Sequence, residues 1–171
     1  NIYKQTPDFS QAIYNLGLVY FLKENYQESI KRMTEYISLD SELPLKAEAH
    51  YYLGQSFGFL KNFDQAIIEL ETAIEFRPTY QKALLALGKA YGIANRPLDS
   101  RNAFLQALKL QPNDIETNLN LGINYFNSGD YALAIPPLQL ILSLQADHSK
   151  AKNILSDALK KLSPSKTDTK K

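Results

Sequence analysis

The sequence predicts an all-α fold built from one repeated helical hairpin. Four glycines recur at intervals of 37, 34 and 34 residues, each directly after a leucine and three positions before an aromatic residue. They are Gly17, Gly54, Gly88 and Gly122. A proline lies ten residues before each glycine, at Pro7, Pro44, Pro78 and Pro112. A repeat of this length indicates an array of one supersecondary unit rather than a globule with a unique core.

Each unit opens with an amphipathic helix. When Ser10, Ala47, Gln81 and Ile115 are taken as position 1, mostly apolar or small residues recur at positions 4, 7, 8 and 11. Spacings of three and four place these positions on one face of an α-helix. The glycine is position 8, and we expect two antiparallel helices to cross there too closely for a larger side chain.

A second helix follows in each unit, with the same kind of stripe at positions 20, 24, 27 and 28. Short polar turns separate the two helices, and the second helix is expected to end before the next proline, which cannot continue it. The last unit departs from this pattern, since Pro136 and Pro137 fall early in its second helix. They remove two backbone donors, so we expect a loosened or kinked start.

The ends of the chain differ from the repeats. Residues 1–9 are interpreted as the end of a preceding repeat or a lead-in, so we expect the chain to be a fragment of a longer array or a processed product. Residues 149–162 form one amphipathic helix without a partner helix, which is expected to cap the last hairpin. Residues 163–171 contain no apolar residue and are expected to be disordered. Seven lysines and two aspartates in 149–171 fit either a solvated surface or a site for an acidic partner.

This repeat resembles the tetratricopeptide repeat. Its signature is Leu-Gly, an aromatic residue, a small, an apolar and a second small residue, and then proline. The second unit matches it at Leu53, Gly54, Phe57, Ala66, Leu70, Ala73 and Pro78. The resemblance covers residues 10–148 as four repeats, 10–46, 47–80, 81–114 and 115–148. It implies a right-handed α-solenoid of four helical hairpins with a C-terminal capping helix. Departures are the absence of tryptophan at position 4, Tyr36 in place of a small residue and Ala146 in place of the last proline.

Composition and motifs argue against several classes of protein. With 44% hydrophobic and 22% charged residues, the sequence is typical of a globular chain and has no apolar run long enough to span a membrane. The absence of cysteine excludes disulfides and cysteine-based metal or nucleophile sites, without indicating a compartment. The repeats lack the basic stripe that nucleic acid requires. His50 and His148 lie in different repeats, and His50 occupies a packing position. We therefore predict no catalytic residue, metal ligand or cofactor.

The resemblance implies a concave groove lined by positions 2, 5, 6, 9, 12 and 13 of the first helices. From these positions we predict ten partner-binding residues: Tyr14, Asn15, Leu18, Tyr51, Tyr52, Gln55, Leu85, Lys89, Asn120 and Ile123. The three tyrosines have no packing position in the repeat, so they are either exposed binding anchors or inter-helix packing residues. For the residues at position 13, which are Leu22, Phe59 and Ile93, packing between helices is the alternative to partner binding.

Two binding modes of the family find little support. The clamp that holds the C-terminal carboxylate of a heat-shock protein needs lysines, asparagines and an arginine at set groove positions, and only Lys82 matches. A ladder of asparagines at position 6 is present only at Asn15 and Asn120.

The sequence thus predicts a non-catalytic interaction module. It would bind a peptide or helical segment of a partner protein in the concave groove, as a scaffold or adaptor in assembly. The alternative is a structural element that self-assembles, stacking with other repeats or copies through an open N-terminal end. No nucleic acid partner is expected.

Overall fold

The computed structural model describes residues 7–39 and 44–163. In this part of the chain there are nine α-helices and no strand, which confirms the predicted all-α class. The helices are α1 Pro7–Leu22, α2 Tyr26–Leu39, α3 Lys46–Phe59, α4 Phe63–Phe76, α5 Gln81–Ile93, α6 Pro97–Leu110, α7 Ile115–Asn127, α8 Tyr131–Leu144 and α9 Ser149–Leu162. Residues 1–6 of the predicted lead-in 1–9 and residues 164–171 of the predicted tail 163–171 lie outside the described residues, whereas residues 7–9 belong to α1.

The described helices belong to two compact units. The first ends at Arg96 and contains α1 to α5, and the second begins at Pro97 and contains α6 to α9. In the first unit α1 pairs with α2 and α3 with α4, while α5 packs on α4. In the second unit α7 pairs with α8, α6 packs on α7, and α9 packs mainly on α8. The division falls inside the third predicted repeat, and the four repeat boundaries stay a prediction.

The turns after α1, α3, α5 and α7 share one backbone feature. One residue of each turn is left-handed, with φ of 59° at Glu24, 62° at Lys61, 56° at Asn95 and 82° at Gly129. The amide of Lys61 donates to the carbonyl of Gly58 at 2.9 Å, which closes the end of α3. Asn62 then starts α4, because its side-chain oxygen accepts from the amide of Gln65 at 3.3 Å. The short polar turns of the sequence are therefore tight helix-to-helix connections.

The glycines at position 8 lie where two helices cross closely. A Cβ on Gly54 would lie 2.6 Å from Cγ of Leu70 and 3.1 Å from the carbonyl oxygen of Ala66. At Gly17 it would lie 3.1 Å from Met33, and at Gly122 it would lie 2.9 Å from Leu138. The packing reason predicted for these glycines is thus confirmed at three of the four positions.

Two glycines of α3 provide a matched test of this packing. Gly58 is one turn after Gly54, but the nearest heavy atom to its added Cβ, on Ala66, is 4.0 Å away. Both glycine-to-alanine changes gain about 1 kcal/mol of helix propensity, whereas overpacking costs about 1–3 kcal/mol at Gly54 alone. We expect Gly54→Ala to be less stable than Gly58→Ala by that overpacking cost in urea unfolding. Equal unfolding midpoints would contradict the close helix crossing.

The two prolines of α8 do not break the helix. α8 is continuous from Tyr131 to Leu144 with Pro136 and Pro137 inside it, so the expected loosening does not interrupt its start. Pro137 is buried and Pro136 is exposed.

The last helix, α9, packs on the core of the second unit. Ala151 and Ala158 are fully buried, and Ile154 and Leu155 pack against a core that includes Leu138 and Ile141. Its first turn is closed by His148, whose Nδ1 accepts from the amide of Ala151 at 3.2 Å. The capping role of α9 stays a prediction.

Candidate partner-binding surface

The ten predicted binding residues are divided between the two units. Asn120 and Ile123 lie half-buried on α7 of the second unit, and the side chain of Asn120 donates to the carbonyl of Glu116 at 2.8 Å. The other eight lie on α1, α3 and α5 of the first unit. Most of the predicted binding residues therefore belong to the first unit.

Tyr14 is not an exposed anchor. Its side chain is only 6% exposed and belongs to a core that includes Met33 and Tyr36. Its ring centroid lies 5.4 Å from that of Tyr36 and 6.5 Å from that of Tyr52. The expectation of exposure is wrong here, because the tyrosine at position 6 of the next repeat covers it, and the packing alternative describes this residue.

Tyr51 and Tyr52 are half-buried members of a larger set of contacting rings. The Tyr52 centroid lies 5.1 Å from Tyr51 and 5.0 Å from Phe21, and Tyr51 lies 5.2 Å from Tyr80. Phe59 stacks on Tyr26 at 4.6 Å and lies 6.0 Å from Phe21. We call this set the aromatic cluster; its members are Tyr14, Phe21, Tyr26, Tyr36, Tyr51, Tyr52, Phe59 and Tyr80. It fills the space between α1, α2 and α3 and reaches the loop before α5.

One ion pair lies beside the aromatic cluster. Oε1 of Glu48 is 2.7 Å from Nη2 of Arg77, whose guanidinium lies 5.0 Å from the Tyr80 ring centroid. The other carboxylate oxygen of Glu48 is buried without a hydrogen-bond partner. Burial raises the pKa of the four hydroxyls of Tyr14, Tyr36, Tyr52 and Tyr80, and the negative charge of Glu48 raises these pKa values further. These tyrosines are thus held in their neutral form.

A cavity of about 440 Å³ opens between α3, α4 and α5. Its lining includes the buried Ala66 and Leu70 of α4, together with Gln55 of α3 and Lys89 of α5. Two of the ten predicted binding residues therefore meet at this cavity. Tyr51, Tyr52 and Leu85 are not among its lining residues.

The cavity exists because two groove positions change size from one repeat to the next. Position 12 is Phe21 in the first repeat, where its ring packs on Tyr52, but it is Gly58 in the second. Position 6 is Tyr52 in the second repeat but Ala86 in the third. Large rings therefore fill the space between α1 and α3, whereas small residues leave space between α3 and α5.

The residues at position 13 surround the open side of this surface. Phe59 is 56% exposed and Ile93 is 62% exposed, and both line the cavity. Leu22, their equivalent on α1, is 71% exposed. The packing alternative applies to Phe59 in part, because its ring stacks on Tyr26 while the rest of the side chain is exposed. Exposed apolar side chains such as Phe59 and Ile93 at one cavity commonly mark an interaction surface.

Sequence reasoning missed several residues of this surface. Tyr80 and Arg77 lie in the connection after α4, outside the groove positions of the repeat, and no other connection has that pair. Lys61 lies in the turn after α3 and lines the cavity. The feature of the sequence that could have indicated the cavity was the change at position 12, from Phe21 in the first repeat to Gly58 in the second.

His50 and the acidic side chains are the remaining candidates for catalysis or metal binding in the described residues. His50 is buried, as predicted, with Nδ1 2.7 Å from Oε2 of Glu69 and its ring stacked at 5.5 Å on Phe76. Within residues 7–39 and 44–163, no group of three histidine, cysteine or acidic side chains is placed to hold a metal ion. No helix in those same ranges combines the length and apolarity required to cross a bilayer.

Two proteins with similar sequences match this chain over a small part of their own length. A peroxisomal targeting signal receptor of Kluyveromyces lactis is 28% identical over 122 residues, which is 71% of this chain and 22% of the receptor. Superkiller protein 3 of Schizosaccharomyces pombe is 27% identical over 131 residues, which is 74% of this chain and 9% of that protein. The chain thus spans about a fifth or less of these two relatives.

Solved structures share the fold. MamA superposes with a TM-score of 0.68 at 22% identity, covering 94% of this chain and 82% of its own. YrrB, a repeat protein of this type with an unusual peptide-binding site, gives 0.74 at 22% identity over 84% of this chain and 73% of its own. The family model for the tetratricopeptide repeat matches residues 14–81 and 85–161. The chain therefore belongs to the tetratricopeptide repeat family, whose members are generally non-enzymatic scaffolds for protein–protein interaction.

Proposed function

We propose that the first unit binds a peptide or helical segment of a partner protein on the face formed by α1, α3 and α5. The observation that carries this proposal is the cavity between α3 and α5, with Phe59 and Ile93 exposed beside it. Its volume of about 440 Å³ is large enough for an apolar side chain of a ligand. The chain would act as a scaffold or adaptor, without catalysis.

The residues expected to contact the segment follow from their exposure. Asn15 and Lys89 are exposed, and the remaining candidates in this unit are half-buried: Leu18, Tyr51, Tyr52, Gln55 and Leu85. Tyr14 is removed from the set because it is buried. Asn120 and Ile123 stay candidates for a separate contact on the second unit.

Two relatives support a peptide as the ligand class. YrrB has the same fold and a peptide-binding site, and the similar receptor of Kluyveromyces lactis is named for a targeting signal. A partly exposed aromatic side chain is a common anchor in such an interface, and Tyr51 is a half-buried ring on α3, the helix that also contributes Gln55 to the cavity.

Tyr51→Ala provides the first test. Peptides are selected from a random displayed library on the full chain, and their affinity for each variant is measured by fluorescence anisotropy. Because an anchor truncation typically costs about 1–3 kcal/mol, we expect affinity to fall by roughly 5- to 150-fold. Tyr51→Phe keeps the ring and should retain most of the affinity.

Tyr131→Ala is the matched control, since it truncates a half-buried tyrosine of the second unit. It should leave binding unchanged. Equal affinity for the wild type and Tyr51→Ala, in a chain that remains folded by circular dichroism, would remove Tyr51 from the site. Failure to select any peptide would count against the proposal as a whole.

A further inference from the structure

We infer that one end of the second unit, formed by the last turn of α9 and the first turn of α8, binds the surface of an anionic lipid membrane. This inference goes beyond the proposed function, because it concerns the other unit of the chain and another class of partner. Its basis is a set of exposed leucines and lysines that we call the leucine–lysine surface: Leu133, Leu159, Lys160, Lys161 and Leu162.

The three leucines lie at the same end of the helix pair α8 and α9. α9 packs on α8, and only residues 145–148 connect the two helices, so the helices are antiparallel. The last turn of α9 therefore lies beside the first turn of α8. Leu133 is 52% exposed, Leu159 is 47% exposed and Leu162 is 46% exposed. Exposed apolar side chains gathered at one place commonly mark a contact surface.

Positive charge in the second unit is concentrated in the segment that contains this surface. Residues 149–171 contain seven lysines and two aspartates, a formal net charge of +5, whereas residues 97–148 contain two basic and five acidic side chains, a net charge of −3. One of these acids, Asp130 at the start of α8, is already paired with Arg101 at 2.7 Å. The charge of 149–171 is complementary to the head groups of anionic lipids.

Most lysines of α9 are available to such head groups. Lys160 forms an exposed ion pair with Asp157 at 3.0 Å. Lys150, Lys152 and Lys161 are exposed and have no ion-pair partner among the described side chains. Their long side chains can extend to a charged head group while the neighbouring leucines lie deeper.

The outer side of α9 also differs from the other first helices. α9 keeps their register, and its position 4 is the exposed Lys152. In the four repeats position 4 is buried, and its residues are Ile13, His50, Leu84 and Asn118. The outer side of α9 thus presents a charge where the repeats bury a packing residue.

The leucines favour a lipid surface over other polyanions. Nucleic acid is contacted mainly through its phosphates, by basic and polar side chains, and would leave Leu159 and Leu162 in water. At a membrane the leucines enter the boundary of the acyl chains, and binding increases with both the apolar area buried and the positive charge. Each lysine near an anionic membrane strengthens binding by about five-fold.

Sedimentation of the full chain with lipid vesicles tests the charge. We expect binding to phosphatidylcholine vesicles that contain about one third phosphatidylserine, little binding to phosphatidylcholine alone, and release as salt is added. Lys160→Glu combined with Lys161→Glu should weaken binding by about twenty-fold or more. Lys23→Glu combined with Lys61→Glu, at exposed lysines of the first unit, is the matched charge reversal and should change little.

The absence of tryptophan from the chain allows a direct test of the leucines. Leu162→Trp introduces a single reporter, whose emission should shift to the blue with anionic vesicles and be quenched by brominated lipids. Leu22→Trp, at a site that is 71% exposed in the first unit, is the control and should do neither. Leu159→Ser combined with Leu162→Ser should weaken vesicle binding by about ten-fold or more, with an unchanged circular dichroism signal.

Three outcomes would overturn the inference. The first is binding to phosphatidylcholine alone that equals binding to the anionic vesicles. The second is a reporter at position 162 that stays in water while the chain sediments with the vesicles. The third is binding of single-stranded RNA that the lysine changes weaken as they weaken vesicle binding, with no effect of the leucine changes on either, which would indicate a general polyanion site. Because the peptide surface belongs to the other unit, failure here leaves the proposed function standing.

Discussion

Truncation after Asp147 is expected to unfold the second unit. It removes α9, whose Ala151 and Ala158 are fully buried and whose Ile154 and Leu155 cover the core. The truncation removes the cover that Ile154 and Leu155 provide for the core that includes Ile141. A buried aliphatic side chain contributes about 1.5–3 kcal/mol, so losing the burial of two such side chains costs about 3–6 kcal/mol, a large part of the stability of a small domain.

Truncation after Leu162 is the control for this prediction. It retains all of α9 and should leave thermal unfolding unchanged, whereas the shorter chain should melt at lower temperature and aggregate. Hydrogen exchange measured by mass spectrometry should show lost protection in α7 and α8, the helices that contact α9. If both truncated chains exchange like the full chain, α9 is not a cap.

The repeat pattern could be predicted because its causes are local in the sequence. The close approach at Gly54 and Leu70 involves two helices of one hairpin, so a single repeat contains both partners. The same holds for the turn at Lys61 and Asn62, where the geometry depends on adjacent residues. Periodicity alone was sufficient to indicate the helices, the turns and the family.

The candidate site was harder to predict because its shape depends on pairs of residues from different repeats. Tyr14 is buried since the next repeat has Tyr52 at position 6, and the cavity exists since the third repeat has Ala86 there. A list of groove positions considers each repeat separately. It therefore cannot distinguish the buried position of Tyr14 from the cavity beside Ala86. Tyr80 lies outside the repeat pattern altogether, although it joins the same cluster of rings.

The aromatic cluster leads to the second large effect, a loss of stability of the first unit at alkaline pH. Tyr14, Tyr36, Tyr52 and Tyr80 have pKa values raised above the ordinary value of 10, mainly by burial, with further contributions from neighbouring tyrosines at Tyr14 and Tyr80 and from the charge of Glu48 at all four. The unfolded chain therefore releases these protons at lower pH than the folded chain does. Their stabilisation is complete below about pH 10 and is lost as the pH rises further.

The size of this effect follows from proton linkage. Each tyrosine that stays neutral in the fold while it ionises in the unfolded chain lowers stability by up to about 1.4 kcal/mol per pH unit. Because the pKa shifts of all four hydroxyls have the same direction, their contributions have the same sign, and the stability of the first unit should fall continuously as the pH rises above 10. Urea unfolding at a series of pH values from 8 to about 11.5 gives the free energy of unfolding at each pH, and therefore its slope against pH.

Replacing single tyrosines by phenylalanine shows how much each hydroxyl contributes to the slope of the free energy of unfolding against pH. Tyr14→Phe and Tyr80→Phe keep the packing and remove the ionising group, so each should flatten the alkaline slope by up to about 1.4 kcal/mol per pH unit. Tyr131→Phe, in the second unit and outside the aromatic cluster, should leave the slope of the first unit unchanged. Identical slopes in all four chains would mean that the hydroxyls of Tyr14 and Tyr80 ionise as readily in the fold as in water. The aromatic cluster would then be accessible to solvent. Tyr51 would be one of several accessible rings rather than a half-buried member of an otherwise buried cluster.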